Sequence, residues 1–234
     1  MIKKVSFISD IHGNIEALRA VLEDMKIKGI EYNNVYCTGD VVGYGPRPNE
    51  VIEELRKHNI TCILGNHDKV VGFFEATEEE RNIFSNTVLW TAENIKEENK
   101  QFLKKLKSDL IIKVGKKEFL LTHGSPNSIS EYIFEDDILL QEEIASKLNE
   151  DILVFGHTHV PYFKKVNGKV FINSGSVGKP KDGDNRACYC VVEVDDNIDD
   201  IKVRFERVPY DIEKVVKEIE ESDLLDEYAQ KLRG

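Results

Sequence analysis

The spacing of apolar residues along this chain changes repeatedly between short continuous runs and helical periodicity. Lys4–Ser9 is an apolar run of β-forming residues. From Ile15 to Lys28 the apolar positions Ile15, Leu18, Val21, Leu22 and Met25 fall at helical spacing. Asn14 is placed to cap that helix and Gly29 to stop it. Val35–Thr38 predicts a second strand, about Asn49–Lys57 a helix, and Ile60–Leu64 a third strand. Three strand–helix steps in succession argue for a parallel α/β sheet. From about Thr77 to Lys107 the pattern is wholly helical, with Phe84, Val88, Leu89, Ala92 and Ile95 in one stripe and Phe102, Leu103 and Leu106 in another.

Strand-like runs then return. Leu110–Val114 and Glu118–Thr122 flank a turn at Gly115-Lys116-Lys117, and a helix from about Glu135 to Leu148 precedes a strand at Ile152–Phe155. Asn167-Gly168 between Tyr162–Val166 and Lys169–Ile172 is a hairpin signal, since both residues accept the positive φ that a tight turn requires. Ala187–Val194 and Ile201–Val208 predict two more strands, and Asp211–Leu232 is helical and acidic. These elements are expected to form one domain over residues 1–234. It would carry a helical insertion at about 70–107 and a C-terminal helical segment at about 210–234.

Composition narrows the class. The 234 residues carry 32 Lys+Arg against 43 Asp+Glu, a formal charge of −11, and 41% are hydrophobic, as in a folded globular protein. No apolar run approaches the roughly 18 residues of a membrane span. Asp10 ends the first apolar run too early for a signal peptide. An acidic chain lacks the basic face of a general nucleic-acid binder. Cys37, Cys62, Cys188 and Cys190 form no CxxC pair and are read as free thiols of a cytoplasmic protein.

The histidines carry the chemistry. Five of the six (His12, His67, His123, His157 and His159) stand just after strands, together with Asp10, Asp40 and Asn66. Ligands of open α/β sheets bind outside the carboxyl ends of the strands. This oxygen and imidazole set, without thiolate, suits Mn²⁺ first, with Fe, Zn²⁺ or Ni²⁺ as alternatives. The 1,3 spacings of Asp10/His12 and His157/His159 let each pair point the same way from an extended segment. The donors are too many for one ion and about right for two, which together clamp an in-line phosphoryl displacement. His58 falls outside the set, at a helix end.

Asp10-Ile11-His12, Gly39-Asp40, Gly65-Asn66-His67-Asp68, His123 and Gly156-His157-Thr158-His159 resemble the five blocks of the calcineurin-like metallophosphoesterases over about residues 1–180. Closest in appearance is the compact bacterial and archaeal phosphodiesterase branch. The resemblance implies a four-layer αββα sandwich with a binuclear metal centre. Asp10, His12 and His159 would hold one ion, Asn66, His123 and His157 the other, and Asp40 would bridge them. A metal-bridging hydroxide would be the nucleophile, and His67, not itself a ligand, would act as general acid or stabilise transition-state charge. Asp68 and Asn14 are candidates for orienting these groups.

Departures from neighbouring branches bear on the substrate. Phosphoprotein phosphatases of the superfamily carry arginines beside the Gly-Asp and Gly-Asn-His blocks. Here Leu64 precedes Gly65, and no arginine follows Asp40 until Arg47. Guanidinium groups grip the extra charge of a phosphomonoester, so their absence favours small phosphodiester or nucleotide substrates. Phe73, Phe74, Tyr44 and Arg47 are candidates for contacting a nucleoside. Hydrolysis of dinucleoside polyphosphates is the alternative activity. A non-catalytic scaffold is a third reading, but such scaffolds lose the histidine that this chain keeps as His67. The C-terminal helices would either cover their own sheet or pair two copies in a homodimer.

Overall fold

The structure, a computed structural model, describes residues 2–75, 77–78, 85–195, 197, 200–224 and 226–233. Two five-stranded sheets lie face to face. The first has the order β10-β9-β1-β2-β3, from β1 (Ile2–Ile8), β2 (Val35–Cys37), β3 (Thr61–Cys62), β9 (Ala187–Asp195) and β10 (Asp200–Val208). The second has the order β4-β5-β6-β8-β7, from β4 (Asp109–Val114), β5 (Lys117–Thr122), β6 (Ile152–Phe155), β7 (Tyr162–Val166) and β8 (Lys169–Asn173). The expected parallel run is present as β1-β2-β3, in register at Ser6↔Val35 and Cys37↔Cys62. The sheet is nevertheless mixed, because β9 pairs antiparallel with β1 along Phe7↔Cys190 to Ile2↔Asp195.

Alternation along the strands builds the layers. Val5 and Phe7 of β1 join Cys190, Val192, Phe119, Leu121, Val154 and Ile172 in a core between the sheets. Ile8, Cys37, Tyr189 and Val191 face outward, onto α1 (Ile15–Ile27) and α2 (Pro48–Lys57). On the far side, Leu153, Phe155 and Phe171 pack against Ile144 and Ala145 of α6 (Ile138–Lys147). Helix, sheet, sheet and helix make the four layers. The hairpin at Asn167 (φ 49°) and Gly168 (φ 79°) forms as the sequence predicts.

Two helical regions are more broken than their periodicity suggested. Asn66–Phe73 is a helix, α3, that begins within the polar Gly65-Asn66-His67-Asp68 block, for which the periodicity gives no helix. Asp68 caps it by accepting the Gly65 N–H at 3.1 Å. Between residues 85 and 107 the chain forms α4 (Asn86–Asn94) and α5 (Glu97–Lys104), interrupted at the extended Ile95 and Lys96. Val88 and Leu103 reach the core beneath α1, whereas Phe84 lies outside the described residues. The C-terminal helix divides into α7 (Ile212–Glu220) and α8 (Asp226–Arg233). Val215, Ile219 and Tyr228 from this pair pack with Tyr44 and Trp90 of their own chain.

Candidate metal centre

The strand ends that carry the candidate residues are held together backbone to backbone. Asp10 N–H donates to Gly39 O and His12 N–H to Asp40 O, both at 3.0 Å. Val177 N–H donates to Ser9 O at 2.9 Å, and Gly156 N–H to His123 O at 3.0 Å. The small-residue turn Asn173–Gly178 lies beneath, its Ser176 hydroxyl donating to Asp10 O at 2.8 Å. Asn14 both caps α1 and donates to Gly178 O at 3.1 Å.

The path of the chain through these loops is unusual. Asp10, His12, Asp40, Tyr44, His157 and His159 all have φ between 51° and 66°. Only Asn59 and Asn167 share this left-handed conformation among the other described non-glycine residues. The pairs Asp10/His12 and His157/His159 therefore reach a common point through alternate left-handed residues, and not along the extended segment that their spacing suggested. Such backbone costs about 1–3 kcal/mol per residue and persists only where its surroundings fix it. The cross-loop hydrogen bonds supply that constraint.

Each carboxylate has one oxygen anchored and one directed inward. Asp10 Oδ2 accepts the His157 N–H at 3.0 Å. Its Oδ1 is buried without a hydrogen-bond donor, 3.1 Å from His159 Nε2 and 3.6 Å from His12 Nε2. Asp40 Oδ1 accepts the His67 N–H at 2.9 Å, while Oδ2 stands 3.2 Å from His123 Nε2.

The imidazoles are oriented from behind by carbonyls, which can only accept. His12 Nδ1 donates to Val42 O (3.2 Å), His123 Nδ1 to Thr38 O (2.9 Å) and His159 Nδ1 to Lys179 O (2.5 Å). In His157 the polarity is reversed, with Nε2 donating to Ser130 O at 3.1 Å. Each ring thus turns its remaining nitrogen inward, the second-layer arrangement that suits a metal ligand. His12 Nε2 lies 3.1 Å from His159 Nε2, and His123 Nε2 lies 3.1 Å from Asn66 Oδ1. Inward-facing ring nitrogens and an orphaned carboxylate oxygen fit a bound cation, which would displace the proton that His123 carries.

Among the described residues, three groups have donor atoms within 4.8 Å of one another: Asp10/His12/His159, Asp40/His123/His157 and His12/Asp40/His67. The third places His67 nearer the donors than the resemblance implied.

Burial depresses the His12 imidazole to about 3 and that of His157 to about 4. Burial also acts on His123, but the Asp40 carboxylate outweighs it and holds this ring near 10. Burial, with the charge of Asp40, raises Asp68 to about 7, where it accepts both the Val42 and Gly65 N–H groups.

The other candidates divide. Tyr44 stands edge-on to His12 at 4.7 Å and against His67 at 4.8 Å, with Lys179 Nζ over its ring at 3.3 Å. Arg47 is engaged elsewhere, its guanidinium bonded to Glu50 (2.7 Å) and to Glu218 of α7 (2.9 Å). Phe73 is exposed on a groove of about 440 Å³ that begins at Asn66 and includes Lys69 and Ser130. Phe74 is buried. His58 bonds to Glu54 at 3.0 Å, away from the centre.

Sequence reasoning missed Tyr132, whose ring stacks on His157 at 4.0 Å. The alternation Tyr132-Ile133-Phe134, polar-flanked and outside any helical stripe, was the available signal.

Residues 4–197 match the calcineurin-like phosphoesterase superfamily domain. The chain is 35% identical over 232 residues to a protein of Methanocaldococcus jannaschii, covering 92% of this chain and 91% of that one. It is 29% identical over 204 residues to the phosphodiesterase YfcE of Escherichia coli, covering 82% and 88%. The crystal structure of a metallophosphoesterase from Sphaerobacter thermophilus is similar over 98% of both chains, with a TM-score of 0.82 and 28% identity. With its family profile running from β1 through β9 and across all five donor-bearing strand ends, the chain belongs to the calcineurin-like phosphoesterase superfamily.

Proposed function

We propose that this protein is a binuclear metal-dependent phosphodiesterase. The observation that carries this reading is the inward convergence of Asp10, His12, Asp40, Asn66, His123, His157 and His159, with four of the rings fixed by backbone carbonyls. In this reading Asp10, His12 and His159 hold one divalent ion, Asn66, His123 and His157 hold a second, and Asp40 serves both, Mn²⁺ being preferred. When bound, the ions supply Lewis acidity toward the phosphoryl group and acidify the attacking water.

His67 acts on the ester. Its Nδ1 is buried against Gly43 without a partner, so Nε2 is the nitrogen left to give a proton to the departing ester oxygen. Hydrolysis then yields an alcohol and a phosphomonoester. Diesters are favoured over monoesters because Leu64 precedes Gly65 and no arginine follows Asp40 until Arg47, where related phosphatases carry arginines beside both blocks. Arg47 is already neutralised by Glu50 and Glu218. The name of the E. coli relative supports the same preference.

The test is turnover of bis(p-nitrophenyl) phosphate and p-nitrophenyl phosphate by metal-stripped protein with Mn²⁺ restored. Diester cleavage that depends on Mn²⁺ is expected. His67→Ala should retain both ions by elemental analysis yet lose turnover. A His67→Ala protein that binds one ion fewer would instead make His67 a ligand.

A further inference from the structure

Two aromatic rings stand in solvent beside the candidate centre. Tyr132 is 46% and Phe134 is 49% exposed, while Phe7, Phe119, Phe155, Phe171 and Tyr189 are fully buried. The exposed rings are held parallel, with planes 3° apart and centroids 5.5 Å apart. Tyr132 in turn stacks on His157 at 4.0 Å and 27°. The three rings thus form a ladder that starts at a candidate ligand and ends at the surface.

The segment beneath is rigid. Ile133, between the two rings, is 1% exposed and anchors the segment in the core. Its carbonyl accepts from Tyr162 Oη at 2.9 Å. The carbonyls of Phe134 and Glu135 accept from the buried Gln141 at 2.6 and 3.3 Å. Lys164 adds a bond to Glu135 O at 2.6 Å. Three side chains therefore fix the backbone that presents two apolar rings to water, an arrangement that folding alone does not require.

We propose that Tyr132 and Phe134 form a stacking platform for the base of a nucleoside phosphodiester, an inference that rests on the phosphodiesterase reading above. Continuity with His157 sets the occupant: a ring carried by the same molecule whose phosphate sits at the centre. Charge narrows it further. The groove running on from Phe134, about 440 Å³, is bordered by Glu135 and Asp136. These carboxylates repel a second phosphate and accept hydrogen bonds from sugar hydroxyls or exocyclic amines. A base joined to the scissile phosphate through its sugar satisfies both conditions, and a polyphosphate chain does not. Tyr132 and Phe134 are accordingly specificity residues.

Binding of 1,N6-ethenoadenosine 5′-monophosphate to the full chain in Mn²⁺ buffer, read by fluorescence quenching, tests the platform. Competition by adenosine 5′-monophosphate and by ribose 5-phosphate, which lacks only the base, gives a ratio of inhibition constants. That ratio cancels any change at the phosphate position. It should lie at about 5- to 150-fold in favour of the adenine nucleotide, the range that base–aromatic stacking supplies. It should collapse toward one in Phe134→Ala and recover in Phe134→Trp.

A ratio near one in the unaltered protein would overturn the platform, as would a ratio that Phe134→Ala leaves unchanged. So would a dimer, seen by sedimentation, that Phe134→Ala dissociates while no base preference exists; the patch would then belong to a second copy. Turnover of methyl p-nitrophenyl phosphate in the same buffer reads the phosphodiesterase assignment separately. Base preference without turnover would sink that assignment, and turnover without base preference would sink only the platform.

Discussion

The two ends of the sheets treat left-handed backbone in opposite ways. At the Asn167-Gly168 hairpin it falls on residues that tolerate it, in a turn where a Cβ on Gly168 would meet nothing within 4 Å. At the other end it falls on Asp10, His12, Asp40, His157 and His159, all buried. There a Cβ on Gly65 would strike Asp40, and one on Gly156 would strike Ser9 and Asp10. The hairpin conforms to local preference. The rim places it on buried Asp and His, which adopt it more readily than most residues, and holds it there by close-packed neighbours.

Removing the shared carboxylate should give the largest effect. Asp40→Ala frees the His67 N–H and leaves His123 facing no carboxylate at 3.2 Å. Losses in diester kcat/KM should exceed the roughly 10–100-fold typical of losing a hydrogen-bond partner of a ligand. Metal content should fall as well. Near-normal turnover and two retained ions would show that the rim does not depend on this group.

Paired glycine substitutions probe the contrast directly. Gly65→Ala should cost about 3 kcal/mol by chemical denaturation, the upper end for overpacking, because the new Cβ meets backbone as well as side chain of Asp40. Gly168→Ala should cost only about 1–2 kcal/mol, the left-handed penalty without a collision. Equal costs would erase the distinction between the two ends.

Between these two in size is a pH effect on metal uptake. In the metal-free chain His123 holds its proton up to about 10, whereas His12 and His157 titrate near 3 and 4. A cation must displace the His123 proton, so affinity should rise roughly tenfold per unit between pH 7 and 9. Calorimetry in buffers of different ionisation enthalpy would show the released proton. Affinity that is flat over this range would mean that His123 is already neutral.

Much of this was legible in the sequence, for separable reasons. Strands and the hairpin announce themselves through alternation and Asn-Gly, and β6 (Ile152–Phe155) has the predicted ends. The donors are visible because polar residues break apolar runs at the same relative place in five strands. Helix α3 was hidden because its first turn is Asn66-His67-Asp68, polar and short of apolar spacing, with Gly65 as its cap. The fate of Arg47 could not be read either. Its partner Glu218 lies 171 positions away, and only the packing of α7 brings them together. The same holds for Tyr132, whose neighbour His157 comes from another strand end.

The pairing of β1 with β9 also bears on how the molecule is made. Asp10 and His12 sit at the end of the first strand, yet that strand is closed on one side by residues 187–195. Contacts of such long sequence separation form slowly, and a chain emerging from the ribosome gains its last partners late. The donors at the end of β1 stand on an open-edged sheet until residues 187–195 have been made and paired. A ribosome stalled before β9 would thus hold a nascent chain whose first sheet is open beside the strand that carries Asp10 and His12.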